Sequence, residues 1–398
     1  MAVVFSNFDF HEVNENMLKK YLLAPGPTPV PESVLLEMAK PILHHRTDEF
    51  SSIFDSAAER LPKLFGTEGE VLMLAGSGTA AMEAAVVNTL SPGDHVLVVN
   101  AGKFGQRWRD ICNVFGMTVS TIDLEWGESV KAEQIEEFIK ENPDTKAVLL
   151  QGSETSTTAC HPVKEIASVT SATDDTLLIV DGITSVGVYD TRMDEWGIDV
   201  LVTGSQKAFM LPPGLAFIAL SDRAWARAEN ASIPRYYFDL RKERKTQQKS
   251  TTAYTPALTL IIGLNKVLDM LFEEGLENVY RRHQVNGDAT RAAVKALGFE
   301  MLAKDNPSNA ATGFYLPSEL DGGAFVKFMR EKVGVTYAGG QDHLKGRILR
   351  ISTLGYHDVF DTITAVSALE MGLVRFGADI ELGKGVSAAQ NILKDYIG

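Results

Sequence analysis

Hydrophobic and polar positions vary along this chain on two scales. Seven short apolar runs, EVLMLAG (70–76), HVLVVN (95–100), TVSTID (118–123), AVLLQG (147–152), TLLIVD (176–181), DVLVTG (199–204) and GLAFIAL (214–220), are mostly separated by amphipathic stretches of helical length. Continuous apolar runs predict strands buried on both faces, and their alternation with helices predicts a mainly parallel sheet between helical layers. Before them, PGPTPVP (25–31) carries too many prolines for a helix or a central strand and is predicted to lie extended over the fold. From about residue 257 the pattern turns to long helical periodicity, followed by short strand signals at GFYLP (313–317) and RILRIS (347–352). The expected organisation is an N-terminal arm over 1–24, a large α/β domain over 25–256 and a smaller α+β domain over 257–398. No internal repeat or low-complexity tract interrupts it.

Composition narrows the function. The 398 residues are 45% hydrophobic and 23% charged, enough for a large core, and the net charge of -14 argues against a nucleic-acid partner, which needs clustered cations. The basic run RKERK (241–245) is read as a solvated loop. Cys112 and Cys160 are the only cysteines, and no CxxC or HExxH spacing occurs, so neither a disulfide framework nor a metal is expected. The first twenty residues lack the charged-then-apolar order of a secretion signal and no run approaches the length of a membrane span, so a cytoplasmic protein without a membrane partner is expected.

Ligands of an open parallel sheet bind beyond the carboxyl ends of its strands, which directs attention to the polar residues there. Gly76, Ser77, Gly78 and Thr79 stand between a strand and a helix start, where backbone N–H groups can cradle a phosphate; an ordinary capping turn is the alternative. GSGTAA also fits a dinucleotide fingerprint, but the next strand ends in Asn100 where a ribose-binding site wants an acid. Asp181 ends the most apolar run; it either caps the following turn or holds a protonated pyridine nitrogen. Lys207, in VTGSQKAFMLPPG (202–214), is either a snorkelling surface lysine or a desolvated amine able to form a Schiff base with an aldehyde. Arg350, inside an apolar strand, must be paired, with a substrate carboxylate or within the chain.

A phosphate cradle, an acid, a lysine and a late arginine occur here in the order used by pyridoxal phosphate enzymes. The chain resembles the fold-type I, class V aminotransferases, most closely the alanine-glyoxylate and serine-glyoxylate aminotransferase group, from LLAPGPTPVP (22–31) to the last helix. The resemblance implies pyridoxal 5′-phosphate as cofactor, with Ser77, Gly78, Thr79 and Gln206 at its phosphate, Phe104 of NAGKFGQRW (100–108) over its ring and Thr155 of ETSTT (154–158) beside its phenolic oxygen. It places Asp181 at the ring nitrogen, Lys207 on the aldehyde, and Gly26 and Arg350 at the substrate. Thr158 stands where the family usually has glycine. The resemblance further implies a homodimer in which STTAYTPA (250–257), through Tyr254 and Thr255, completes the partner's phosphate site, and it brings His45 and Arg46 of HHRTDEF (44–50) near the active site.

The implied reaction moves an amino group from alanine or serine to glyoxylate or pyruvate. Ureidoglycine and aminoethylphosphonate enzymes share the motifs and remain alternatives, as does a non-catalytic accessory subunit. A cysteine desulfurase would need a late nucleophilic cysteine, and none follows residue 160.

Overall fold

A computed structural model describes residues 18–397, so the expected N-terminal arm falls mostly outside the described residues. All seven apolar runs become strands of one sheet: β1 (Val71–Gly76), β2 (His95–Asn100), β3 (Thr118–Asp123), β4 (Thr145–Gln151), β5 (Leu177–Asp181), β6 (Val200–Gly204) and β7 (Gly214–Leu220). Their spatial order is β1-β7-β6-β5-β4-β2-β3. β7 runs antiparallel to both neighbours, and the remaining pairings are parallel.

The sheet is buried from both sides, which is why its strands are apolar at successive positions. Val71, Met73, Leu97 and Val99 pack into one core, while their neighbours Leu72, Leu74, Val96 and Val98 pack into the other. β3 is the exception: TVSTID closes one edge of the sheet, and its side chains are half-buried or exposed.

A second, antiparallel sheet joins β8 (Ala311–Tyr315), β10 (Ile348–Ser352) and β9 (Ala338–Gly339), with β10 in the middle, over its own core around Phe314, Phe325 and Leu369. The change of texture at residue 257 is not where the packing changes. Helix Leu258–Glu274 sets Ile261, Leu264 and Leu268 into a core of the large sheet, and the next helix, Leu276–Ala296, runs from that core at Val279 to the second sheet's core at Val294. A helix that is apolar over more than half its circumference has to be covered by the larger layer.

The basic run RKERK is helix, not loop. Asp239 accepts from the Arg241 N–H at the start of helix Leu240–Gln247, and Leu240 and Glu243 face inward, leaving the cations on the wet side. Upstream, Tyr21–Leu22 pairs in parallel with Val335–Thr336, and the Leu23 carbonyl accepts from Ser352 N at 2.8 Å. The proline-rich stretch then runs extended across the large sheet's site, with Thr28 donating to the backbone carbonyls of Gln206 (3.1 Å) and Lys207 (2.9 Å). Among the described residues no helix is long and apolar enough to cross a membrane, and no cluster of three or more His, Cys, Asp or Glu side chains could hold a metal ion.

Candidate active site

A cavity of about 290 Å³ opens beyond the carboxyl ends of β1, β5 and β6 and takes in residues from six turns. It gathers Gly26, Ser77, Gly78, Thr79, Phe104, Thr155, Asp181, Gln206 and Lys207, nine side chains or backbone positions expected from sequence. Parallel strands end on the same side, so residues more than a hundred apart in the chain meet there.

Each is positioned by the element that precedes it. Ser77 is the extended residue before helix Gly78–Thr89 and makes no side-chain capping bond, which leaves the first-turn N–H groups and the positive helix end facing the cavity. A side chain at Gly78 would meet Ile183 Cδ1 at 2.5 Å, so glycine lets the cradle close against the Asp181 loop without displacing Ile183. Gln206 contributes an amide whose oxygen has no protein partner.

Lys207 follows β6 in a tight turn and is 8% exposed, so it is not a snorkelling surface lysine. Its ammonium donates to the Pro25 carbonyl. Burial pushes its pKa down to about 8, with the Arg350 and Arg107 guanidinium groups adding to the effect and Asp181 opposing it. Gly26 has φ +112°, and a Cβ there would collide with the Lys207 side chain.

Asp181 ends β5 at 4% exposure. Its Oδ1 accepts from Ile183 N at 2.8 Å, so the capping role is real, but it uses one oxygen. Burial pushes its pKa up to about 7; the nearby Glu154 carboxylate adds, while the Ile183 N–H, Arg107 and Lys207 pull it down. A carboxyl held near neutrality by burial ionises when a cation is placed beside it.

The remaining predicted residues are arranged around this centre. Arg350 is 7% exposed and does not line the cavity itself; it donates to the carbonyl of Thr155 at 2.8 Å and to that of Gly339. No carboxylate lies within salt-bridge distance of it among the described residues, and burial lowers its pKa to about 10. Thr155 donates to Thr184 Oγ1 at 2.9 Å. Thr158 takes the left-handed conformation that its position demands, at φ +57°, steadied by Gly313 N donating to its hydroxyl at 3.1 Å.

Tyr254 and Thr255 are not brought to this cavity. They line a separate small pocket with Met73, Tyr237 and Glu243; the Tyr254 hydroxyl donates to the Tyr236 carbonyl at 2.8 Å and its ring stacks on Tyr237. Arg46 is exposed and His45 half-buried, stacked on His44 at 4.8 Å between ring centroids, away from the cavity lining.

Three further residues were not singled out from sequence. Arg107 donates to Thr79 Oγ1 at 3.0 Å and stacks 4.8 Å from the Phe104 ring centroid, one helical turn from it, so the i, i+3 spacing within NAGKFGQRW was a usable signal. Thr184 joins Thr155 to the Ser153 carbonyl, accepting from one and donating to the other. Glu154 is fully buried: Oε2 accepts from Phe104 N (2.9 Å) and Gly105 N (3.0 Å), and Oε1 from Ser156 N (3.1 Å) and Ser156 Oγ.

A doubly covered parallel sheet with a helix-start anion cradle, a buried acid and a buried lysine at its strand ends defines a fold-type I pyridoxal phosphate transferase. The chain belongs to the aminotransferase class-V family, whose model matches residues 20–354. It is 42% identical over 379 residues to a protein described as the small subunit of soluble hydrogenase from Synechococcus sp., covering 94% of this chain and 98% of that one. It is 35% identical to the serine–glyoxylate aminotransferase of Methylorubrum extorquens, over 95% and 96% of the two chains. Among solved structures, ureidoglycine-glyoxylate aminotransferase from Bacillus subtilis superposes with a TM-score of 0.88 at 29% identity, over 94% and 98%. The protein is a pyridoxal 5′-phosphate-dependent transaminase acting on amino and 2-oxo acids.

The residues present fit that cofactor. An unclaimed helix start suits its phosphate; a carboxyl that burial holds near neutrality suits a protonated ring nitrogen; a lysine with a lowered pKa suits its aldehyde.

Proposed function

We propose that this transaminase moves the amino group of alanine or serine to glyoxylate or pyruvate, in two half-reactions through one site. The observation that carries this reading is Arg350, a buried guanidinium with only backbone carbonyls as partners, set one hydrogen bond from the cavity. A buried Arg fork without a carboxylate in its own chain is suited to a carboxylate from outside. A cavity of about 290 Å³ that must also hold the cofactor leaves room for a short side chain only.

Bound pyridoxal 5′-phosphate supplies an aldehyde and a protonated ring that accepts the electron pair left when the substrate Cα loses its proton. The chain's residues do the rest. Ser77, Gly78, Thr79 and Gln206 hold the phosphate, Phe104 covers one ring face and Thr155 borders the ring. Asp181 keeps the ring nitrogen protonated by supplying its counter-charge. Arg350 fixes the substrate carboxylate so that the Cα–H bond faces Lys207. Once released by the incoming amine, Lys207 can act as the base because burial lowers its pKa to about 8, much nearer working pH than that of an exposed lysine, and it would take the Cα proton and return it at the carbon of the cofactor's aldehyde group. Pro25 and Gly26 close over Lys207 and exclude water from that transfer.

The functional unit is a homodimer in the cytoplasm, in which Tyr254 and Thr255 complete the partner's phosphate site. Their exclusion from their own cavity supports this, as does the exposed apolar surface of Leu35, Leu36, Ile42 and Tyr236 nearby in the chain to HHRTDEF and STTAYTPA. The large sheet's layer binds the cofactor, and the part carrying Arg350 contributes substrate recognition. The test is a half-reaction screen: holoenzyme mixed with single amino acids, following loss of the visible absorbance of the lysine-bound cofactor. Alanine and serine should discharge it fastest, and glyoxylate or pyruvate should restore it. Discharge by an amino donor of another class alone would refute the assignment.

A further inference from the structure

Of the residues that line the cofactor cavity, only Asp181, Lys207 and Arg107 carry charge. Asp181 and Lys207 serve the ring nitrogen and the aldehyde, and Arg107 has no such task. Its guanidinium is half-buried, rests 4.8 Å from the Phe104 ring centroid and donates from Nη1 to Thr79 Oγ1 at 3.0 Å. Among the described residues no carboxylate lies within salt-bridge distance of it, because the other charged groups on and at the start of its helix are already engaged. Lys103 pairs with Asp342 at 2.8 Å, Arg109 pairs with Asp110 at 2.9 Å, and Glu154 accepts from Phe104, Gly105 and Ser156. The Arg107 charge is nevertheless felt inside the cavity, where it pulls the pKa values of both Asp181 and Lys207 down.

Charge balance shows what such a cation can answer. A phosphate monoester carries a charge of about -1.5 to -2 at neutral pH, and a helix start offers about +0.5. Asp181 is matched by the ring nitrogen and Lys207 is joined to the aldehyde, which leaves Arg107 as the lining cation available to the phosphate. The hydrogen bond to Thr79 agrees with this. A threonine hydroxyl has one hydrogen to give; Thr79 Oγ1 accepts from Arg107, and no acceptor among the described residues receives its own hydrogen. A hydroxyl that accepts from a cation is polarised into a better donor.

We propose that Arg107 is a positioning residue for the cofactor's phosphate: it supplies the counter-charge and, by donating to Thr79 Oγ1, turns the Thr79 hydroxyl hydrogen toward the phosphate. The proposal rests on the reading that the turn Ser77–Thr79 holds that group. The stack on Phe104 fixes the guanidinium at the cavity wall, so one arginine serves the residue over the ring and the residue at the phosphate together.

The experiment reloads cofactor-free protein with pyridoxal 5′-phosphate or with pyridoxal, which has the same ring and aldehyde without the phosphate. Affinity is read from the visible absorbance of the lysine-bound form. Arg107→Met keeps an apolar contact for Phe104 but removes the charge and the hydrogen bond; it should weaken pyridoxal 5′-phosphate about thirtyfold and pyridoxal less than about threefold. Arg107→Lys, which keeps the charge, should bind the phosphorylated cofactor with an affinity between those of the parent and Arg107→Met. Equal weakening of both aldehydes would reduce Arg107 to a prop for Phe104 and overturn the proposal, as would no weakening of either. Thr79→Val separates this from failure of the underlying reading. If that variant loses its preference for the phosphorylated form while Arg107→Met keeps it, the cradle stands and Arg107 alone is refuted; if Thr79→Val keeps the preference, the assignment of the cradle fails and the proposal with it. Should Arg107→Met not fold, Arg107→Gln, polar but uncharged, decides by the same ratio of affinities.

Discussion

Glu154→Gln should loosen the helix that carries Phe104 without changing any group that touches substrate. The carboxylate accepts four hydrogen bonds, two of them from the first N–H groups of helix Lys103–Val114 and two from Ser156. A glutamine keeps one acceptor oxygen and turns an NH₂ group toward one of these pairs. The better choice is to face Ser156, whose hydroxyl can reverse and accept, so that one backbone N–H is left unpaired at about 1–3 kcal/mol. The two bonds at the helix start survive but lose their charge, roughly 1 kcal/mol each, together with the negative charge that favours a helix N-terminus. Against this stands relief from burying a carboxylate, a burden shown by the upward push that desolvation gives its pKa. The net loss is about 2–3 kcal/mol. At about 2.1 cal/mol/K per residue, 398 residues have an unfolding entropy of about 0.8 kcal/mol/K, so the apoprotein should melt about 3 °C lower. Calorimetry on cofactor-free protein reads this directly, and cofactor release from the holoenzyme should quicken as Phe104 loses its anchor. A melting temperature within 1 °C of the parent would show that the four bonds are not what fixes this helix.

Other consequences are as direct. Lys207→Ala should abolish the visible absorbance, turnover and borohydride labelling of the chain; peptide mapping that finds a different labelled lysine in the parent would refute its role. Asp181→Asn keeps a hydrogen-bond partner but removes the counter-charge, and substrate deprotonation should slow about a hundredfold, equivalent to about 2.7 kcal/mol; single-turnover rates within threefold of the parent would reduce Asp181 to a cap. A Lys207→Ala subunit mixed with a subunit altered at both Tyr254 and Thr255 should regain activity in hybrid dimers, and a fully active monomer in sedimentation would exclude that arrangement. His161, His283 and His357 are buried neutral, with pKa values pushed by burial to about 4, about 3 and about 4. Since the unfolded chain protonates them near pH 6.5, their contribution is complete above that pH and is lost as it falls toward 4, at about 2 kcal/mol per histidine by pH 5. The urea midpoint of the apoprotein should drop between pH 7 and pH 5, and a flat profile would contradict the burial argument.

What the sequence made legible was whatever the chain writes locally. Strand positions were readable because two-sided burial makes each run apolar at successive positions, as in Leu177 to Val180, and the cradle at Ser77, the acid at Asp181 and the lysine at Lys207 each sit immediately beyond such a run. The reversed direction of β7 was not readable, since GLAFIAL is equally apolar in either sense. Glu154 escaped because its meaning lies in N–H groups about fifty residues away, and Thr184 because its partner Thr155 is on another strand's loop. RKERK was misread as loop because charge density hides a two-residue buried face, Leu240 and Glu243.

The strand Tyr21–Leu22 makes the order of synthesis matter. Its pairing partner Val335–Thr336 leaves the ribosome more than 300 residues later, and Ser352, which ties down Leu23, later still. Until then only the Thr28 bonds to the carbonyls of Gln206 and Lys207 hold Pro25 and Gly26 over Lys207. A nascent chain whose sheet is complete at Leu220 therefore carries a loosely capped lysine until Val335 and Ser352 emerge, an interval in which free cofactor can reach the amine before the proline-stiffened segment is locked down. A chain terminated before Val335 would keep that looser cap permanently.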